Sequence, residues 1–325
     1  MTFGAVVIGR NEGARLKRCL QALSSAALVV YVDSGSTDGS PEWARSRRGV
    51  DVVELDMARP FTAARARNAG FARMRECAPD LRYVQFIDGD CELRPSWPEH
   101  AIGFLAQNGS VGAVCGRTRE REPDRSIYNW LCEQEWAQPR GEVRAFGGIV
   151  MMRVDALAGV GGYREDVIAG EEPELGVRLR SAGWRLWRLD DEMTWHDAAM
   201  TRFGQWWRRA VRAGYAYAQG ADIHGASAER HWVWESLRAL LWGLLLPLGC
   251  LAIALLAAPW GWAAFAIYPL QVARQTLRNS GPPRRRIALA WFQVIARFPE
   301  AVGLLKYAWN RLLHQQGRLI EYRRS

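Results

Sequence analysis

Three short apolar runs in the first hundred residues each end on a group of polar side chains, and this arrangement most narrows the possible folds. The runs are 3–9, 28–32 and 83–87, and the polar groups are 10–12, 33–38 and 88–90. Helical spacing follows the first run, so strands and helices alternate. Alternation of this kind predicts an α/β fold with a mostly parallel mixed sheet flanked by helices. Loops at the carboxyl ends of such strands form the ligand crevice, so we expect a binding site there.

Charge is distributed unevenly along the 325 residues. Residues 1–201 carry 26 Lys and Arg against 29 Asp and Glu, whereas residues 202–325 carry 17 against 5. The slightly acidic first part argues against nucleic acid as a partner, because duplex binding usually needs a basic face on the folded domain. Ten of the 16 Trp residues lie at or after Trp195, among arginines and long apolar runs. This combination is typical of a membrane interface.

The same patterns divide the chain into three predicted segments. Residues 1–225 are predicted to form the α/β domain and end in a basic amphipathic helix. Residues 226–273 form an apolar hairpin, with legs at about 237–258 and 259–273, that either crosses the membrane or enters it shallowly. Residues 274–325 form a basic amphipathic tail at the interface. Arginines flank both ends of the hairpin and no basic leader precedes the first strand, so we expect the α/β domain on the cytosolic side of the cytoplasmic membrane.

Asp88 and Asp90 form an Asp-Gly-Asp sequence directly after the third apolar run. Mg²⁺ and Mn²⁺ prefer oxygen ligands, and such a cation can bridge carboxylates to the oxygens of a diphosphate. The alternative is a turn with two solvated carboxylates, because Asp is common in turns. The position at the end of a buried strand, among the other polar groups, favours the cation site.

Several segments in a fixed order resemble family 2 glycosyltransferases of the GT-A fold. They are VVIGRNEGARLKRCLQAL, VYVDSGSTDGS, AARARNAG, YVQFIDGDCELRP, GGYREDVIAGEEPEL and the Trp-His pair before the basic helix. The resemblance covers about residues 3–220. It implies an inverting enzyme that moves a sugar from a nucleotide-sugar donor, with Mg²⁺ or Mn²⁺ as cofactor. With the membrane segment, it leads us to expect a lipid-linked or glycan acceptor and a role in envelope or exopolysaccharide synthesis.

The resemblance also implies which side chains bind the donor. The base and ribose would be held by Arg10, Asn11, Glu12, Asp33 and Ser34, although many relatives have a second acid in place of the serine. The diphosphate would be contacted by Arg65 and Arg67, since a guanidinium fork suits its oxygens. A solvated helix face is the alternative for both arginines.

The resemblance places the cation at the Asp-Gly-Asp sequence. Asp88 would lie near the ribose and the cation, and Asp90 would bind the cation. His196 falls where some members of the fold contribute a further ligand. A buried structural histidine is the alternative.

Inversion requires a carboxylate that accepts the proton of the attacking hydroxyl. The family has a Glu-Asp pair at the start of a helix, and this chain has Glu171 and Glu172 there. Glu172 therefore occupies the position of the base, with Glu171 and Glu174 as rivals. The alternative is an acidic cluster that only caps a helix, because carboxylates are favoured at helix N-termini.

The last matching element begins the basic helix. Gln205, Trp206, Trp207 and Arg208 resemble the Q-x-x-R-W element of processive synthases, which lies beside the acceptor. Arg209 stands where those enzymes have Trp, which favours transfer of a single sugar over polymer synthesis. The tryptophan pair could equally be an interfacial anchor.

Two other functions compete with this interpretation. A nucleotidyltransferase would also have alternating strands and helices with cation-binding acids. It usually has a glycine-rich phosphate loop, and residues 9–13 are too poor in glycine for one. A catalytically silent membrane scaffold with the same fold is the second alternative. The acids Asp88, Asp90, Glu171 and Glu172 argue against it.

Overall fold

The computed structural model describes residues 2–315 and 317, and it divides into two compact units, Met1–Thr201 and Arg202–Ser325. The division falls before the basic amphipathic helix, whereas the sequence patterns placed it near residue 225. The basic amphipathic helix belongs to the second unit because it crosses another helix of that unit closely. A Cβ atom added at Gly214 would lie 2.0 Å from the carbonyl oxygen of Glu300, so this helix packs by backbone contact on its own unit.

Nine strands among the described residues form one mixed sheet in the first unit. They are β1 (Gly4–Gly9), β2 (Leu28–Asp33), β3 (Val50–Glu54), β4 (Tyr83–Asp88), β5 (Cys91–Leu93), β6 (Val111–Glu120), β7 (Gly141–Glu142), β8 (Val150–Arg153) and β9 (Arg185–His196). Their order is β3-β2-β1-β4-β8-β6-β9-β5, and β7 pairs with β9.

The sheet has a parallel and a mixed half. Strands β3, β2, β1 and β4 run parallel, while β8 is antiparallel to both β4 and β6. Strand β9 then runs parallel to β6, with β5 and β7 antiparallel to it. The mixed sheet flanked by helices confirms the predicted fold class.

Seven α-helices among the described residues accompany this sheet. They are α1 (Ala14–Ala22), α2 (Ser40–Arg45), α3 (Ala63–Cys77), α4 (Trp97–Gln107), α5 (Ile127–Trp136), α6 (Val154–Gly159) and α7 (Glu171–Ser181). Helix α3 begins where the Thr62 hydroxyl accepts a hydrogen bond from the Arg65 amide at 3.1 Å. It lies close to the sheet because Gly70 has no side chain: a Cβ there would be 2.4 Å from Val6.

The core of the first unit lies on the central strands. Val6, Val30, Phe86 and Met151 are fully buried, which explains why these strands are almost continuously apolar. Gln85 is the polar exception. Its side-chain oxygen accepts the indole N–H of Trp97 at 2.9 Å, which satisfies both buried groups.

The second unit is helical throughout its described elements. Its helices are α8 (Phe203–His224), α9 (Val233–Leu240), α10 (Leu246–Leu256), α11 (Ile267–Arg278), α12 (Pro283–Ile295) and α13 (Arg297–Leu312), with a π-helical turn at Leu241–Leu245 and a 3₁₀ segment at Trp260–Ala266. Two continuous stretches, Val233–Leu256 and Pro283–Leu312, are long and apolar enough to cross a membrane, by length and composition.

The apolar segments differ in part from the predicted hairpin. The first leg, predicted at about 237–258, overlaps Val233–Leu256 except for its last two residues, but 259–273 is divided between the 3₁₀ segment and α11. The second stretch of sufficient length is Pro283–Leu312, in the segment predicted as an interfacial tail. The end of the predicted tail, including Ser325, lies outside the described residues.

Candidate active site

The three polar loops meet at one edge of the sheet. In the parallel register Gly9 lies beside Asp33, and Ile8 lies beside Asp88. Asn11 joins the first two loops: its amide donates to the Ser36 hydroxyl at 2.8 Å, and its side-chain oxygen accepts the Thr37 amide at 2.8 Å. The first loop is thereby held against the second.

Asp33 is bonded within its own strand and turn. Its carboxylate accepts the Tyr31 hydroxyl at 2.7 Å and the amides of Gly35 and Ser36 at 2.9 and 2.8 Å. Burial, and then the bond to Asp33, raises the pKa of Tyr31, which keeps that hydroxyl a donor. The neighbouring Ser34 is buried, and its amide donates to the Gly9 carbonyl at 3.1 Å. In this arrangement the Asp33 carboxylate shapes the loop.

The two arginines predicted to contact the diphosphate point into the protein. The guanidinium of Arg65 donates to the carbonyl oxygens of Asp56, Arg59 and Pro60 at 2.6 to 3.4 Å. The guanidinium of Arg67, whose side chain is only 3% exposed, lies among carboxylates. Their role in this structure is therefore to hold a loop and an acidic cluster.

An acidic cluster surrounds Arg67. Its Nη1 donates to Glu171 at 2.9 Å, and its Nη2 lies 3.0 Å from both Asp88 and Glu172. Gly148 closes the cluster: a Cβ there would lie 2.6 Å from Arg67 and 2.8 Å from Asp88. One guanidinium thus links the first acid of the Asp-Gly-Asp sequence to the acids that begin α7.

The three rival acids of α7 have different surroundings. Glu174 is 1% exposed and forms a bidentate pair with Arg178, which also donates to the carbonyls of Val160 and Gly162. Glu171 is 4% exposed and Glu172 is 14% exposed. Of the three, Glu172 is the most accessible to an acceptor.

Glu172 also has a raised pKa. Burial is the largest cause, the charge of Glu171 adds to it, and Arg67 opposes it, which leaves the pKa of Glu172 at about 7. A carboxyl group with a pKa near the working pH is suited to general-base catalysis. This combination of exposure and pKa fits the role that the resemblance assigns to Glu172.

A second buried group contains Asp90 and His196. Asp90 Oδ2 lies 3.5 Å from His196 Nε2, and the ligand atoms of Asp90, Cys91 and His196 lie within 4.8 Å of one another. Burial, and then the charge of Asp90, raises the pKa of the Cys91 thiol, so Cys91 stays protonated and donates to Asp90 at 3.3 Å. A carboxylate oxygen and an imidazole nitrogen converge here, and this pair fits a divalent cation.

Two residues that sequence analysis missed adjoin His196. Glu120, at the end of β6, has Oε2 at 3.5 Å from His196 Nδ1, and the Trp136 ring packs edge-on against the imidazole at 4.7 Å between centroids. Residues 91–146 gave no strand prediction because two glycines interrupt the apolar pattern of β6. The buried acid at its end therefore carried no recognisable signal.

The residues predicted to face the acceptor belong to the second unit and begin α8. Gln205 accepts the Arg202 amide at 3.0 Å through its side-chain oxygen, so it caps the helix. Trp206 is buried and packs edge-on against Phe292 at 4.9 Å, while Trp207 lies 5.8 Å from Phe203. Arg208 is in the second turn of the same helix.

Comparisons with known proteins agree with this fold. The sequence model described as "Glycosyl transferase family 2" matches residues 5–157. Glycosyltransferase AglE of Haloferax volcanii is 24% identical over 237 residues, which cover 67% of this chain and 74% of AglE. The succinoglycan biosynthesis protein ExoA of Rhizobium meliloti is 26% identical over 196 residues, which cover 55% of this chain and only 58% of ExoA.

A solved structure extends the likeness to nearly the whole chain. The mannosyltransferase PcManGT from Pyrobaculum calidifontis, solved in complex with GDP-Man and Mn²⁺, superposes with a TM-score of 0.66 at 22% identity. The match covers 95% of this chain and 87% of PcManGT. At this identity the likeness concerns the fold.

Proposed function

The chain is a family 2 glycosyltransferase with the GT-A fold, and on that premise we propose that it transfers a hexosyl residue from a nucleotide-sugar to a membrane-linked acceptor with inversion. The observation that carries this proposal is Glu172, an accessible carboxyl group with a pKa of about 7, tied through Arg67 to Asp88. Through Arg67, a proton acceptor is held next to the loop at which the resemblance places the donor.

The proposed reaction is a single displacement. The acceptor hydroxyl oxygen forms a bond to the anomeric carbon, the bond from that carbon to the diphosphate oxygen breaks, and Glu172 accepts the hydroxyl proton. Arg67 holds Glu172 beside Asp88 at 3.0 Å from each. Opposite-face attack follows if the acceptor approaches from Glu172 while the diphosphate leaves toward Asp90.

Asp90 and His196 are the residues that would hold a divalent cation, Mg²⁺ or Mn²⁺. Such a cation would neutralise the charge that develops on the leaving diphosphate. The oxygen and nitrogen atoms 3.5 Å apart support this assignment, as does the Mn²⁺ in the PcManGT complex. Asp88, whose carboxylate is 35% exposed, would lie beside the cation and the ribose.

The donor would be bound at the strand-end loops. Arg10, Asn11 and Glu12 lie on the loop after β1, and Ser34 follows β2 beside it. The bonds from Asn11 to the second loop support one continuous binding surface for the nucleotide. PcManGT was solved with GDP-Man, which supports a nucleotide-hexose as the class of donor.

The acceptor and location are proposed from the second unit. Large apolar side chains are unusually exposed there, including Trp234 at 69%, Leu256 at 88% and Trp260 at 83%. Such surfaces in a chain with two long apolar stretches support membrane association. Arginines 284–286 favour the cytosolic face of the cytoplasmic membrane. The similarity to ExoA, a succinoglycan biosynthesis protein, supports a role in exopolysaccharide synthesis. The exposed apolar surface of the second unit supports a lipid-linked glycan as the acceptor.

The test combines donor binding with turnover. The purified full chain is screened by thermal shift against UDP-, GDP- and dTDP-hexoses with Mn²⁺, since a bound donor raises the melting temperature. The stabilising donor is then assayed for transfer to membrane lipid extracts. We expect transfer that chelation or Asp90→Asn abolishes, while Glu142→Gln, which changes an exposed acid paired with Arg185, leaves transfer intact. Donor binding without transfer to any extract would instead indicate a catalytically silent scaffold.

A further inference from the structure

Asp90, His196 and Glu120 form a row of buried polar groups. The side chains of Asp90 and Glu120 are 2% and 0% exposed, and that of His196 is 12% exposed. The imidazole lies between the two carboxylates, with Nε2 at 3.5 Å from Asp90 and Nδ1 at 3.5 Å from Glu120. Each ring nitrogen therefore faces a different acid.

Glu120 is itself held in place. Its carboxylate oxygens accept the Ala198 amide at 3.1 Å, the Asn129 side-chain amide at 3.2 Å and the Glu122 amide at 3.4 Å. Asn129 also accepts the Met200 amide at 3.0 Å. Glu120 and Asn129 thus fix the segment that follows His196 as well as facing its ring.

The other side of the imidazole is restrained by an aromatic ring. Trp136 packs edge-on against His196 with an interplanar angle of 67°. The Arg121 amide donates to the His196 carbonyl at 2.8 Å, which holds the backbone of β9 against the residue after Glu120. The ring has little freedom to turn away from either acid.

A carboxylate only accepts hydrogen bonds, so each acid can accept a hydrogen from the ring nitrogen that it faces at 3.5 Å. A cation held by Asp90 and Nε2 would leave the ring hydrogen on Nδ1, where Glu120 is the facing acceptor. The Nε2 lone pair would then point toward the cation beside Asp90. Carboxylates behind metal-binding histidines commonly act in this way.

We propose that Glu120 is a positioning residue that accepts the Nδ1 hydrogen of His196 and so directs Nε2, together with Asp90, at a single divalent cation. The proposal rests on the proposed function for the cation itself. It adds that the carboxylate at the end of β6 sets the affinity of the site without touching the cation.

The experiment measures Mn²⁺ alone on the full chain in detergent. The Mn²⁺ dissociation constant is obtained by electron paramagnetic resonance, and electron spin echo modulation reports ¹⁴N coupling from a bound imidazole. We expect Glu120→Leu to raise the dissociation constant about 10-fold to 100-fold and to weaken the nitrogen coupling. Glu120→Gln keeps one accepting oxygen, so its loss should be smaller, about threefold or more, because hydrogen bonds to charged groups are about twice as strong.

Two controls separate positioning from folding. Glu300→Gln removes another buried carboxylate, one paired with Arg297 in the second unit, and should leave Mn²⁺ affinity unchanged. His196→Ala should remove the nitrogen coupling. If Glu120→Leu does not fold, Glu120→Gln decides the question, and an unchanged dissociation constant in that variant overturns the proposal.

The outcomes distinguish this proposal from the function on which it rests. Absence of Mn²⁺ binding or of nitrogen coupling in the unmodified chain contradicts the cation site itself. Normal binding and coupling in the unmodified chain, retained in folded Glu120→Leu, contradict only the role of Glu120.

Discussion

Asp33 and the three acids around Arg67 are held in opposite ways within the first unit. Asp33 is surrounded by three donors from its own strand and turn, so its oxygens are satisfied locally. Asp88, Glu171 and Glu172 share the single guanidinium of Arg67. The first arrangement stabilises a loop, whereas the second concentrates negative charge in a buried place. An acid whose oxygens are all hydrogen-bonded thus shapes the site, whereas an acid crowded by other acids retains the capacity to take up a proton.

The largest effect should be a loss of turnover when Glu172, one of the three acids around Arg67, is changed. Glu172→Gln keeps the size of the side chain but removes the proton acceptor, so turnover should fall by about 10² to 10⁴ while donor affinity changes little. Initial rates with saturating donor, and donor binding by calorimetry, measure the two quantities. Glu171→Gln and Glu174→Gln are the matched controls. Near-normal turnover in Glu172→Gln, with loss in one control, would move the base to that residue.

Removing the guanidinium of Arg67, which the three acids share, should have the next largest effect. Arg67→Met retains most of the apolar stem of the side chain and leaves three carboxylates without their guanidinium. Breaking a buried ion pair by loss of one partner typically costs about 3–5 kcal/mol, and partly exposed Asp88 favours the lower end of this range. Thermal unfolding of the full chain measures the loss.

A second variant tests the explanation for Arg67. The double variant Arg67→Met with Glu171→Gln should recover part of the lost stability, because it removes one of the crowded charges. Equal stability of the single and double variants would show that charge crowding is not the cause.

The contrast between the two groups also marks what the sequence could predict. Strands β1, β2 and β4 followed from apolar runs, and their parallel pairing follows from alternation with helices, so the meeting of the polar loops was predictable. The start of α7 at Glu171 also agrees with the acidic segment. These features depend on neighbours in the sequence.

Long-range partners were not predictable in the same way. Arg67 lies on α3, and nothing in the spacing of that helix shows that its guanidinium meets acids more than 100 residues away. Glu120 meets His196 because β6 and β9 are parallel neighbours, with register shifts near Cys115 and Arg117. Irregular pairing of this kind leaves no periodic pattern in the sequence.

A change at Asp33, whose oxygens are hydrogen-bonded within its own strand and turn, should mainly affect the stability of the fold. Asp33→Asn preserves the shape of the side chain but turns one accepting oxygen into a donor, so at least one of its three donors loses its partner. The expected cost is about 1–3 kcal/mol of unfolding free energy, with a smaller fall in turnover than in Glu172→Gln. Thermal unfolding and initial rates distinguish the two effects. A large loss of donor affinity at unchanged stability would instead support the direct nucleotide contact that the resemblance implies.

The last expected effect is a pH dependence that acts on turnover and stability in opposite directions. Glu172 must be ionised to accept a proton, and its pKa is about 7. Turnover should therefore rise about tenfold per pH unit below 7 and level off above it.

Stability should fall over the window in which the unfolded chain has lost this proton and the folded chain still holds it. The folded pKa lies above the ordinary value of 4.5, so the contribution of Glu172 is fully present below pH 4.5 and is lost as pH rises toward 7. Glu172→Gln cannot titrate, so its melting temperature relative to the unmodified chain should increase between pH 5 and pH 8. Arg67 opposes the raised pKa, and its loss in Arg67→Met should move the turnover profile to higher pH. Parallel profiles for the unmodified chain and Glu172→Gln would mean that burial of Glu172 is relieved in solution, and the contrast with Asp33 would then disappear.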